Sequence, residues 1–488
     1  MKPPRLVAIS LFTTLALITG ACGGSKSTTS GPGDGTTVDA GTCPVGAFKK
    51  APGVTTVKLW HTYVGKLKQA LDTLAAQYNA SQSKVKVEPE VQGTDYSQLL
   101  RKVQAGIPTK QLPAITIGED IDTQFMADSN VVVPATACLN ADPEARKQVQ
   151  DIIPAVRSSY TLKGIQYPAS MNVSTIVLYY NKDHFRAAGL DPEKPPTTLA
   201  EVQEYARKIK AAGASEKPFV MKMDPWFVEH WVSGAKELLV NNDNGRSKLP
   251  TKALLESKAS KASVDWLATM NTEGLLNAVP GTEGQYNHYL AMASGKSSML
   301  LETSAAITTI DGVLSGTFDP ADIGPNVDLP AGLKVSLDLG VGLNPGLTAP
   351  GRGQIGGGAW YITNTGSKEV QSAAWDFVKY FNTTQSQVTW TISGSYLPIL
   401  ESVKTNPELQ ANWTTTQKGK WQAIAYSGIE TLDPKFPGPL IGPYDKFRDA
   451  YRKAIEDITL TGQPVDPALK EANVVATKAL VDYTKNNF

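Results

Sequence analysis

Cysteine and histidine are scarce in this chain, with three and four copies in 488 residues. His61, His184, His230 and His288 are scattered, and two cysteines beyond the N-terminal one make a poor zinc set without clustered histidines. No His-Glu-x-x-His, no Gly-x-Ser-x-Gly elbow and no phosphate-binding loop of the Gly-x-x-x-x-Gly-Lys type occurs, and no cofactor is expected. An excess of either charge is also missing. There are 47 basic and 46 acidic residues, a formal net charge of +1. Without a basic stripe the sequence gives no reason to expect nucleic acid as a partner. A Lys/Arg-rich amphipathic helix is lacking too, which removes the usual route to insertion at a membrane surface. Beyond the first residues no apolar run approaches the roughly 20 residues that span a bilayer.

What the N-terminus does contain is a processing signal. Lys2 and Arg5 precede the apolar run Leu6 to Leu17, which is followed by Thr19-Gly20-Ala21-Cys22. A basic start, a short apolar stretch and small residues before a cut read as a secretory signal over residues 1–21. Cys22 directly after Gly-Ala resembles a bacterial lipobox, whose cysteine is acylated. Residues 22–53 are rich in Gly, Ser and Thr. Such a segment buries too little apolar surface to fold and is expected to be a flexible tether. In an oxidising compartment Cys43 and Cys138 can form a disulfide, with two separate thiols as the alternative.

From Val54 the pattern alternates between periods. Val54 to Trp60 and Lys84 to Val91 have strand spacing, whereas Lys66 to Asn79 and Tyr96 to Ala105 have helical spacing. Further strands are expected at 114–117, 175–180, 299–302 and 359–362. Further helices are expected at 199–212, at 266–273, at 368–381, and through 444–458 and 467–487. Strands alternating with helices imply an α/β fold, and the length calls for two lobes.

Four stretches carry a resemblance. They are Leu59-Trp60-His61; Val177 to Lys182 with Ala188-Gly189-Leu190-Asp191-Pro192; Gly356-Gly357-Gly358-Ala359-Trp360; and Ser395-Tyr396-Leu397-Pro398. In this order they resemble family 1 extracellular solute-binding proteins, and within that family the glycerol-3-phosphate-binding proteins of ABC importers. The resemblance implies a two-lobed clamp whose chain crosses between lobes more than once. Lobe 1 would hold 54–168 and 357–396, and lobe 2 would hold 169–356 and 397–488, with hinges at Pro168-Ala169 and Gly356-Gly357. It implies a monomeric lipoprotein outside the cytoplasm that hands a sugar or polyol, glycerophosphate types included, to a permease.

A polyol needs aromatic plates for its C–H face and short polar groups for its hydroxyls. The candidates are Trp60, His61 and Tyr63 after the first strand, and Glu119 and Asp120 at another strand's end, where ligand crevices of open sheets lie. The resemblance adds Ser174, Thr303, Ser304, Gly357, Gly358 and Tyr396, with Trp226, read as a loop residue, as the stacking plate. Two departures point to an uncharged ligand. Val64 stands where the phosphate-binding relatives have an acid, and Leu440 aligns with their arginine; Lys222, Arg352 or Lys446 could compensate. A glycosidase would need two facing carboxyl groups, and neighbouring Glu119 and Asp120 make a poor pair. A ligand-sensing lipoprotein would share clamp and tether.

Overall fold

The computed structural model describes residues 38–93, 95–281, 287–320 and 334–487. The expected signal segment, Cys22 and residues 22–37 of the expected tether lie outside the described residues.

Folding begins earlier than the composition suggested. Residues 40–42 and 47–50 form short 3-10 turns, and Phe48 is buried against the helix Lys368–Phe381. Cys43 and Cys138 are joined in a disulfide with their Cα atoms 4.9 Å apart and a sequence separation of 95. Closing a loop of that length removes about 4–5 kcal/mol of denatured-state entropy. One aromatic anchor and one covalent tie thus order a stretch that composition alone assigns to the tether.

Among the described residues twelve strands follow: β1 Thr55–His61, β2 Val85–Val91, β3 Ile115–Gly118, β4 Thr161–Leu162, β5 Ile165–Gln166, β6 Ala169–Ser170, β7 Ile176–Asn181, β8 Phe219–Lys222, β9 Leu276–Val279, β10 Met299–Thr303, β11 Leu339–Leu343 and β12 Ala359–Ile362. Two five-stranded sheets result, ordered β2-β1-β3-β12-β6 and β11-β7-β10-β8-β9, and β4 and β5 form a small hairpin. In the first sheet β1 runs parallel to β2 and β3, while β12 is antiparallel to β3 and β6. In the second, β8 is parallel to β9 and β10, whereas β7 is antiparallel to β10 and β11. The alternation in β1 is plain, with Val57, Leu59 and His61 buried and Thr56 and Lys58 exposed.

Because Ala169–Ser170 pairs with β12, the first sheet extends past residue 168, the boundary expected from sequence. The chain then leaves it for β7, and returns from β11 into β12. These two crossings run side by side where Ser174 bridges Gly356, and the segment at Leu397 joins the first of them through its bridge to Val173. The site described below is built around these crossing segments.

Candidate functional site

The C-terminal end of β3 delivers Glu119, Asp120 and Asp122. Asp120–Asp122 form a 3-10 turn leading into the helix Thr123–Asp128, and the Glu119 amide donates to Asp122 Oδ2 at 2.9 Å. Packing three acids into one turn has a cost. Burial, with Asp122 beside it, pushes the Glu119 carboxyl up to about 8, and burial pushes Asp120 to about 6 and Asp122 to about 7.

Beside this turn lies a tyrosine cluster. The Tyr63 and Tyr96 hydroxyls are 3.1 Å apart, and those of Tyr96 and Tyr396 are 3.4 Å apart. Asn172 Nδ2 donates to the Tyr63 hydroxyl at 2.9 Å, while its Oδ1 accepts from the Gly358 amide at 2.7 Å. Gly358 is required here, since a Cβ would stand 2.9 Å from the Tyr96 oxygen and 3.1 Å from that of Tyr63. Its neighbour Gly357 has φ +116, a conformation open to glycine and strained for other residues. Glu119 is within electrostatic reach of Tyr63, Tyr160 and Tyr396.

Opposite stands the helix Pro225–Gly234. Asp224 caps it, accepting from the Trp226 amide at 2.9 Å, with proline at the first helical position. Trp226 is therefore a first-turn residue rather than the loop residue expected; the Asp-Pro start is the signal that reading passed over. His230 Nδ1 donates to the Trp226 carbonyl at 2.9 Å, and its ring meets the indole edge-on at 4.5 Å. Burial lowers His230 to about 3, so it is neutral and a fixed support. The half-buried indole lies against the crossing segment: a Cβ on Gly356 would be 2.8 Å from Trp226 Cζ2 and 2.8 Å from Ser174 Oγ.

The same helix carries Glu229, fully buried, which takes two bonds from Arg448 of the helix Tyr444–Thr461, at 3.0 Å from Nε and 2.7 Å from Nη2. Arg448 lies within electrostatic reach of Glu119, Asp120 and Asp122. Acids of the first sheet thus meet a guanidinium whose helix packs in the core of the second.

The structure gathers Tyr63, Glu119, Asp120, Gly357, Gly358 and Tyr396 at the end of the first sheet, with Ser174 and Trp226 beside the crossing segment. It places other candidates elsewhere. Trp60 Nε1 donates to Glu90 at 3.1 Å, and Lys102 lies over its ring. His61 is buried; its Nδ1 accepts from the Tyr63 amide at 3.1 Å, and burial lowers it to about 4. Thr303 caps a turn by accepting from the Ala305 amide, and Ser304 Oγ accepts from the Thr175 amide, so both hydroxyls are used in ordering the end of β10.

The supposed arginine position also changes meaning. Leu440 is fully buried, its amide bonded to the Asn244 carbonyl, and the cation at the site is Arg448. Neither Lys222, which acts on Glu302, nor Lys446, which acts on Asp482, is needed to supply one. Sequence reasoning missed Tyr96, Asn172, Glu229 and Arg448. The last sits in a helix whose charged residues alternate as on any solvated face, so nothing local marks it.

Against known proteins, residues 73–417 match the family model described as bacterial extracellular solute-binding protein. The sn-glycerol-3-phosphate-binding periplasmic protein UgpB of Escherichia coli K12 is 28% identical over 367 residues, covering 72% of this chain and 76% of the relative. Among solved structures, the sugar-binding protein MalE of Xanthomonas citri superposes with a TM-score of 0.71 at 17% identity, covering 88% of this chain and 99% of its own. UgpB from Mycobacterium tuberculosis, in complex with glycerophosphocholine, gives 0.69 at 15%, covering 89% and 100%. The cyclic alpha-maltosyl-1,6-maltose binding protein of Arthrobacter globiformis gives 0.68 at 21%, covering 88% and 100%. At these identities the structural likenesses speak for the α/β, two-sheet binding-protein fold. With the family model spanning more than half of its length, the chain belongs to the bacterial extracellular solute-binding proteins.

Proposed function

We propose that this protein captures a sugar or polyol between its two sheet-bearing bodies, closes over it, and delivers it to the permease of an ABC importer without altering it. The observation that carries the reading is the gathering of Tyr63, Tyr96, Tyr396 and Gly358 at the end of the first sheet, with Arg448 in electrostatic reach of Glu119 and Asp120 and Trp226 packed against the crossing segment at Gly356. A hydroxyl can accept from a guanidinium and donate to a carboxylate at once, so a polyol bridging the bodies satisfies both sides. The indole and the tyrosines supply faces for its C–H groups. Closure removes water and strengthens each of those hydrogen bonds. The names of the relatives, which bind sn-glycerol 3-phosphate, maltosyl sugars or glycerophosphocholine, support this class of ligand. Glu119, Asp120, Tyr63, Tyr96, Tyr396, Ser174, Trp226, Arg448 and the Gly357-Gly358 backbone form the proposed contact set.

Calorimetric titration of the folded domain against maltose, ribitol, glycerol 3-phosphate and glycerophosphocholine tests the proposal. Saturable heat with at least one, and its recovery unchanged, is the expected result. Turnover of a titrant, or silence across all four, contradicts it. Attachment by an acylated Cys22 belongs to the same reading. Cys22→Ser is expected to move the protein from the membrane fraction to the soluble one, and retention on membranes would refute acylation as the anchor.

A further inference from the structure

Glu229 has no place in the contact set, yet it is the best-satisfied acid in this part of the molecule. Its carboxylate, fully buried, accepts from Arg448 Nε and Nη2, from the Tyr444 hydroxyl at 3.2 Å and from Gln354 Nε2 at 3.1 Å. The guanidinium also lies over the Tyr444 ring, 4.8 Å from its centroid. Arg448 is therefore held on one edge, leaving Nη1 without a hydrogen-bond partner among the described residues. Five carboxyl groups share its field: Glu229, Asp224, Glu119, Asp120 and Asp122. Arg246 also reaches Asp120; its Nη1 and Nη2 donate to the carbonyls of Gly438 and Ser159, while its Nε has no hydrogen-bond partner among the described residues.

We propose that Glu229 sets the charge preference of the cleft: by pairing with Arg448 in place it orients the guanidinium for a hydroxyl oxygen and cancels the positive charge that a phosphate monoester would require. The inference rests on the capture reading above and adds to it the rejection of one ligand class. A phosphate monoester carries close to two negative charges at neutral pH, and its recognition normally calls for an unopposed Arg or Lys. Here the cation is matched by its own buried partner before any ligand arrives, and the facing wall carries the Glu119, Asp120 and Asp122 carboxyls, of which burial leaves Asp120 the most readily ionised. An uncharged polyol loses nothing by this arrangement, since it needs one donor and one acceptor rather than net charge. Glu229 acts through Arg448 and is a positioning residue.

The test is titration of the wild type and Glu229→Gln with two matched pairs, ribitol with ribitol 5-phosphate and glycerol with glycerol 3-phosphate. The amide keeps the shape and removes the charge. The wild type is expected to bind the uncharged member of a pair at least tenfold more tightly. In E229Q the affinity ratio is expected to move at least tenfold toward the phosphate. A purely structural role would weaken both members alike and leave the ratio where it was, and that result overturns the proposal. Should E229Q fail to fold, the wild-type ranking still decides: tighter binding of the phosphate monoester contradicts the inference while leaving capture of a polyol or glycerophosphate standing. Silence of the wild type toward every sugar and polyol would instead remove the capture reading itself.

Discussion

Glu119 is where the two halves of the site act on one another. It follows the last residue of β3, faces the tyrosines, and feels Arg448 and Asp224 from the opposite side. Burial raises its carboxyl from 4.5 to about 8 in the folded protein. Below the lower value both folded and unfolded chains hold the proton. Between the two the unfolded chain releases it and the folded chain keeps it, so the stability that this group contributes falls as pH rises through that window and is gone above the higher value. Glu119→Gln removes this penalty. Its melting temperature is expected to exceed that of the wild type above about pH 8, with the gap closing toward about pH 4.5, read by calorimetry of the ligand-free protein. An equal offset at every pH would show that the Glu119 carboxyl does not carry the strain. His61 and His230 contribute the reverse lesson. Both looked chemically able, yet burial keeps them neutral and each holds a neighbouring aromatic residue in position.

At the scale of elements, several with one face toward water were readable from their spacing. The strand β1 and the helices Gly65–Ser81, Leu199–Ala211 and Lys368–Phe381 follow their apolar spacing to within a residue or two. Strands covered on both faces were read in part: β3, β7, β10 and β12 were expected, whereas β8 and β11 were not. β8 is buried along nearly its whole length, so the polar half of the alternation is missing, and its short apolar run cannot be told from a buried helix. In β11 two glycines imitate a loop. The structure shows that Gly340 is there because the Tyr180 ring lies against it, where a Cβ would be 2.2 Å from Cζ. The helix Gln417–Glu430 hides in the same way, since Gly419 lies against the Asn412 carbonyl. The site was partly legible for a related reason. Strand ends and glycine clusters mark where a ligand can approach, which pointed to Glu119 and Gly357-Gly358. Glu229 and Arg448 become partners only when two helices separated by some two hundred residues of chain pack together, and no local pattern encodes that.

For the whole molecule, the division into two sheets joined by paired crossings is what the proposed capture of a ligand rests on. In the proposed reading each body alone presents half a site: acids and tyrosines on one side, an indole and a paired guanidinium on the other. A ligand that bridges them stabilises the closed arrangement by its differential contacts, as hinge closure in a clamp requires. The disulfide between Cys43 and Cys138 secures the first described residues to the rest of the fold. Small-angle X-ray scattering of the folded domain, titrated with the ligand that calorimetry selects, tests this account most directly. The radius of gyration is expected to fall and to saturate at the same concentration as the heat. Full binding with an unchanged radius would contradict a cleft that closes around its guest.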